Sequence, residues 1–215
     1  MTFISTTPPE AARDAVADMY RRQQDSWGFV PNYAKVFSHR PEVLARWGQL
    51  LAEIKRSMDR RRFELVTFAA AHQLGNSACA LAHGKVLREF FDDDQIISIA
   101  ARRTLDFLSE AEKALLDFAR RVAADASQIT ADDVRSLRRV GFADDEIFDI
   151  AAAAAGRGFF TKLLDALGVK PDAPFAELGE PLRSALTVGR PIDVDAPARM
   201  PVSTPVEVIV AGGAR

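Results

Sequence analysis

Between residues 8 and 168 the chain is a relay of helix starts and stops, with apolar residues at helical spacing between them and no segment alternating with the period of two that a strand needs. Thr7-Pro8-Pro9-Glu10 predicts an N-cap, a proline at the first helical position and a capping-box glutamate, opening a helix to about Asp25. Residues 27–32, Trp-Gly-Phe-Val-Pro-Asn, end it, and a short turn from Tyr33 to Phe37 leads to Pro41. Pro41 opens an amphipathic helix with Val43, Leu44, Trp47, Leu50, Leu51 and Ile54 on its apolar face. Asp59 caps a third helix. Asn76 or Ser77 caps a fourth that reaches about Phe91. Asp92 or Asp93 starts a short helix through Ala101, Ser109 and Glu112 form a capping box for a helix to about Ala126, and Thr130 with Asp133 starts one closed by Gly141. The last helix, Asp144 to Leu167, stops at Gly168 with Pro171 beyond. The core expected from this pattern is all-α.

From Pro171 the pattern changes. Prolines at 171, 174, 181, 191, 197, 201 and 205 punctuate a tail that reads as non-helical, with Val206–Val210 the one strand-like stretch. The expected organisation is a helical domain over residues 1–175 and an extended C-terminal arm over 176–215, packed on the body or on a neighbouring subunit, or disordered.

One apolar run carries the reactive side chains. Glu64, His72, Cys79 and His83 lie within twenty residues of one another and include the only cysteine and two of the three histidines. Cys79 and His83, four apart, share one face of a helix. Glu64, fifteen residues before Cys79, reaches them only from a preceding helix, and Gly75-Asn76-Ser77 supplies the break between the two. With Asn76 as N-cap, Cys79 sits at the third helical position, where free backbone N–H groups favour a thiolate; His83 can take or relay its proton, and Glu64 can orient that histidine. A lone cysteine among alanines is also a common small core residue. His72 shares roughly the face of Glu64 and is a candidate lining residue, as is Asn76; a core histidine bonded to a backbone carbonyl is the alternative. Trp27, Phe29, Tyr33, Phe37 and Trp47 make the N-terminal third aromatic, suited to a core or lid and less readily to a channel wall.

Composition excludes several classes. One cysteine rules out an intrachain disulfide and points to a reducing compartment. The N-terminus has neither the basic nor the apolar region of a secretory leader, and no run approaches the ~18 apolar residues of a membrane span, so a soluble, cytoplasmic protein is expected. A net charge of −2 favours no nucleic-acid partner, and no ligand spacing for a metal and no phosphate-cradling glycine loop is present, Gly156-Arg-Gly158 lying within an alanine-rich helix. Neither a metal nor an organic cofactor is expected.

The positions of Glu64, Cys79 and His83 resemble the alkylhydroperoxidase D-like and carboxymuconolactone decarboxylase superfamily, whose redox members carry a glutamate, then Cys-x-x-Cys, then a histidine four residues after the second cysteine. Flanking segments agree: residues 28–32 with 39–42 resemble the lead-in, and residues 141–146 through 165–168 the C-terminal helix, so the likeness covers about residues 8–175. It implies an alkylhydroperoxidase D-like helical bundle and catalytic roles for Cys79, His83 and Glu64. The departure is at position 76, where the first cysteine of the motif is replaced by Asn76, so the two-cysteine disulfide cycle is lost. Thr161-Lys162 also stands where the family often has Asn-Arg. The resemblance leaves three readings open: a peroxiredoxin-like, antioxidant peroxidase that uses one thiol against a hydroperoxide and an external thiol reductant; a cofactor-free acid–base enzyme acting on a small organic acid or lactone; and a non-catalytic, ligand-binding helical oligomer. It also implies a homo-oligomer, a trimer or hexamer, for which the small-residue stretch Ala151–Gly158 and the proline-rich arm are the expected contact surfaces.

Overall fold

Residues 2–194 are described by a computed structural model, and among them every regular element is helical. The helices are α1 (Asp14–Trp27), α2 (Asn32–Val36), α3 (Pro41–Arg56), α4 (Arg60–Gln73), α5 (Ser77–Leu87), α6 (Asp93–Ala101), α7 (Glu110–Asp125), α8 (Ala131–Arg139), α9 (Asp144–Ala166) and α10 (Leu182–Leu186).

The organising element is α4. Its side chains from Phe63 to Ala71 are all buried, so the helix has no polar face and is wrapped by α5, α7 and α9. That placement puts Glu64 inside the molecule. Its start is set by Asp59, whose carboxylate accepts the Arg62 N–H at 2.9 Å. The break after α4 is at Gly75, whose φ of +71° an L side chain rarely adopts. Asn76 then caps α5 by accepting the Cys79 N–H at 2.9 Å. Asp92 with Gln95, Ser109 with Glu112, and Thr130 with Asp133 form the capping boxes of α6, α7 and α8.

Three local expectations are corrected. Thr7 does not cap a helix: its N–H goes to Ser38 Oγ at 3.1 Å and its carbonyl accepts the Tyr20 hydroxyl at 2.6 Å, leaving one 3-10 turn at Pro9–Ala11 before α1 begins at Asp14. The turn from Tyr33 to Phe37 is the short helix α2 followed by a 3-10 turn, and α5 stops at Leu87 rather than near Phe91. The third concerns the arm. Residues 182–186, expected to be non-helical, form α10, whose Leu182 and Leu186 are buried against α5 and α6. The chain then returns across the body, Gly189 N–H donating to Ser77 Oγ at 2.8 Å and Asp193 N–H to the Pro171 carbonyl at 2.9 Å. Val206–Val210 lies outside the described residues.

The alanine-rich stretch of α9 is used within the chain. A Cβ on Gly156 would stand 3.1 Å from Trp47 of α3, so the small residues let α3 approach α9 closely. No helix of the described residues is long and apolar enough to cross a membrane.

Candidate active site

Glu64 on α4 and His83 on α5 meet in the interior, 1% and 2% exposed, with His83 Nδ1 2.6 Å from Glu64 Oε2. Thr67 lies one turn along α4 from Glu64, its Oγ1 3.3 Å from the same nitrogen, but its hydroxyl donates to the Phe63 carbonyl at 2.8 Å. The proton between His83 and Glu64 is thereby assigned to Nδ1, donating to the carboxylate, and Nε2 carries the free lone pair. Burial, then the nearby Arg157 charge, holds the imidazole below its ordinary value against the opposing pull of Glu64. At neutral pH His83 is a neutral base oriented by a carboxylate.

Cys79 lies one turn before His83 on α5 and is 4% exposed. Its Sγ is 3.8 Å from Nη1 of Arg157 on α9. Burial pushes the thiol above its ordinary range, and the guanidinium pulls it back through charge and hydrogen bonding. The helix-terminus effect expected from the sequence is thus overridden by desolvation: the Cys79 N–H is consumed by the Asn76 cap, and the cation that helps the thiolate comes from another helix.

Cys79, His83 and Arg157 open on one cavity holding about 700 Å³ of atom-free space, its mouth included. Its wall is mainly apolar: Leu44, Trp47 and Leu51 of α3, Phe160 and Leu164 of α9, and Phe175. Trp27 and Tyr33 complete the wall, with Trp27 Nε1 donating to the Tyr33 hydroxyl at 3.1 Å and that hydroxyl donating to Gln23. Asp172 is the one carboxyl at the wall among the described residues. It accepts the Asn32 N–H at 2.8 Å, and burial pushes it up to about 7.

The expected site residues thus divide. Glu64, Cys79 and His83 come together. Asn76 lies beneath the cavity, capping α5 and donating to the Thr161 carbonyl at 3.5 Å rather than lining the wall. His72 lies away from it, its ring tilted against Phe68 with Nε2 3.3 Å from the Ala185 carbonyl of α10. Three of the N-terminal aromatics, Trp27, Tyr33 and Trp47, form the cavity wall, a role weighed below core or lid from the sequence. Arg157 was missed as a site residue. Its signal is a single charge between two glycines in the otherwise uncharged stretch from Ile150 to Thr161. Among the described residues no three His, Cys, Asp or Glu side chains cluster to hold a metal ion.

No protein-family model matches the chain, and no curated protein matches it significantly. Solved structures do. The alkylhydroperoxidase AhpD core of an uncharacterized peroxidase-related protein from Ralstonia eutropha JMP134 superposes with a TM-score of 0.66 at 21% identity, over 88% of this chain and 98% of that one. An uncharacterized peroxidase-related protein from Silicibacter sp. TM1040 gives 0.64 at 20%, over 81% and 91%. The debrominase Bmp8 gives 0.64 at 18%, over 86% and 95%, and its cysteine-to-alanine variant in complex with 2,3,4-tribromopyrrole gives 0.63 at 18%, over 86% and 97%. Identities this low speak to architecture, and the architecture is common to all of them: the chain has the alkylhydroperoxidase AhpD-type fold.

Proposed function

We propose that this cavity is the active site of a thiol-dependent oxidoreductase that reduces small organic hydroperoxides with Cys79 as its one redox-active sulfur. The observation that carries the reading is the convergence on one apolar cavity of a thiol, a cation 3.8 Å from it and a neutral histidine held by a buried carboxylate. His83 takes the thiol proton at Nε2, and Arg157 stabilises the thiolate against burial. Sγ attacks the terminal oxygen of the hydroperoxide; the S–O bond forms, the O–O bond breaks, and the departing alkoxide takes the proton from His83 to leave as an alcohol. Cys79 is left as a sulfenic acid. One external thiol condenses with it, releasing water and forming a mixed disulfide, and a second attacks the sulfur of the first, the two leaving as an external disulfide while Cys79 returns to the thiol.

Two of the structural relatives are described as peroxidase-related, and Bmp8 is a debrominase whose cysteine-to-alanine variant holds a brominated ring. Both descriptions support a reading in which the cavity of this fold takes a small molecule. A second reading, acid–base chemistry by His83 and Glu64 without sulfur, is favoured by one observation, the upward push of burial on the thiol.

The two separate by mutation. With cumene hydroperoxide and dithiothreitol as substrates, Cys79→Ser is expected to abolish peroxide consumption. His83→Ala or Glu64→Gln should lower it by roughly a hundredfold or more, as loss of a positioned acid–base group does. A Cys79→Ser protein that consumes peroxide at the wild-type rate sinks the thiol reading.

A further inference from the structure

The guanidinium of Arg157 is 4% exposed, and two of its three nitrogens, Nε and Nη2, are buried without a hydrogen-bond partner. We propose that the cavity is a receptor for a small, flat monocarboxylate, whose two oxygens are gripped by the Nε/Nη2 edge of Arg157 while Nη1 holds Cys79. Nε–H and Nη2–H lie along one edge of the planar guanidinium and point in parallel within its plane, the geometry that a carboxylate matches with two hydrogen bonds. Nη1 is on the opposite side, engaged with Sγ at 3.8 Å. One edge of the cation is used and the other has no partner among the described residues.

Charge accounting points the same way. A buried guanidinium without a counterion costs several kcal/mol, yet no salt bridge joins Arg157 to a carboxylate among the described residues. Glu64 is committed to His83. Asp172, the carboxyl at the wall, is pushed up to about 7, and its ionisation is not governed by Arg157. A protonated thiol supplies no compensating charge. An anion entering the cavity does.

The wall limits what that anion can be. Among the described residues Arg157 is the only Lys or Arg on it, which suits one negative charge and disfavours a phosphate dianion. Trp27, Trp47, Leu51 and Phe160 offer flat apolar faces to the rest of the ligand. The ligand class is therefore an aromatic or similarly planar carboxylate. Held this way, the anion and Sγ sit on opposite edges of one guanidinium, which binds the carboxylate on one edge and stabilises the thiol on the other. The inference deepens the thiol reading and rests on it only for which atom reacts.

Both tryptophans of the chain line the cavity, so intrinsic fluorescence reports on its contents. Benzoate and its neutral isostere benzamide are titrated into the full chain. Benzoate is expected to shift the tryptophan emission saturably and to slow alkylation of Cys79 by iodoacetamide. Benzamide should bind roughly tenfold to a hundredfold more weakly, the difference that hydrogen bonds to a charged group make. Arg157→Gln should bring the two affinities together, and Arg157→Lys should leave benzoate weaker than wild type, since an ammonium keeps the charge and loses the parallel edge. Cys79→Ser should bind benzoate as wild type does, so loss of turnover and loss of anion binding are read separately. Equal affinities for benzoate and benzamide in the wild-type chain, or no saturation by benzoate in the millimolar range, overturn the proposal without recourse to any variant.

Discussion

At Cys79 two opposed effects meet, and their order sets its reactivity. Desolvation is larger than the attraction of Arg157, so the thiol titrates above its ordinary range. Alkylation of the wild-type chain by iodoacetamide should therefore show an apparent pKa above ~8.5, and Arg157→Gln, which removes the opposing cation at the sulfur, should move it higher still. An unchanged profile in that variant would mean that Nη1 does not act on Sγ. His83 works in the other direction. Its imidazole is held below its ordinary value, so Nε2 keeps its lone pair at neutral pH and loses it only on acidification. Because the folded chain protonates His83 less readily than the unfolded chain does, this pair costs stability as pH falls below ~6.5. The triad of Glu64, Cys79 and His83 was legible in the sequence because all three lie on two consecutive helices whose spacing and intervening break can be counted. Arg157 was not, because it comes from α9, seventy-eight residues beyond Cys79, and nothing local says which of an arginine's neighbours will be a sulfur.

The helices themselves were largely readable because their starts are written in short-range chemistry. Asp59, Asn76, Asp92 and Ser109 each accept an N–H three residues on. Thr7 carried the same kind of signal and failed, since its backbone groups bond to Ser38 and Tyr20, partners distant in sequence. The Asn76 cap holds up the first turn of the helix bearing Cys79, and Asn76→Ala should cost about 1 kcal/mol in urea unfolding. Asp172, after α9, gives a pH-dependent counterpart. Its carboxyl titrates near neutrality while the unfolded chain sheds that proton close to the ordinary carboxylate value, so the folded chain holds the extra proton in between. Stability contributed at this position falls as pH rises from ~4 to about 7 and is flat above. Asp172→Asn, which keeps an acceptor for the Asn32 N–H, should be more stable than wild type at pH 8 by on the order of a few kcal/mol and little different at pH 4. Equal unfolding midpoints at pH 8 would show that the carboxyl is not desolvated.

For the molecule as a whole, the division at residue 175 does not follow the packing. The prolines that made residues 176–194 read as an arm do keep most of that stretch irregular, but irregular chain here is core: Leu178, Leu182 and Leu186 are buried with the helices before them. A five-residue helix among prolines offers too few turns for a periodic signal, and its burial comes from contacts with α5 and α6 far upstream. Leu186→Ala should cost about 2–5 kcal/mol, measured by chemical denaturation, a loss that a merely tethered arm would not show. The small-residue stretch expected at a subunit contact is occupied in part by Trp47 of the same chain. Val43, Leu50, Phe148 and Phe159 are the large apolar side chains left exposed on α3 and α9. A homo-oligomer that covers them is the expected state, and light scattering giving a monomer would remove it.

The depth of Cys79 has a last consequence. A sulfur this enclosed, with no second cysteine in the chain, has its redox partners chosen by width. A protein thiol presented on a folded surface cannot follow a small oxidant down to Sγ, whereas a slender thiol can. If Cys79 turns over as proposed, the aromatic wall would act as a sieve on the electron donor as well as on the substrate, and turnover would follow the pool of small thiols around the protein.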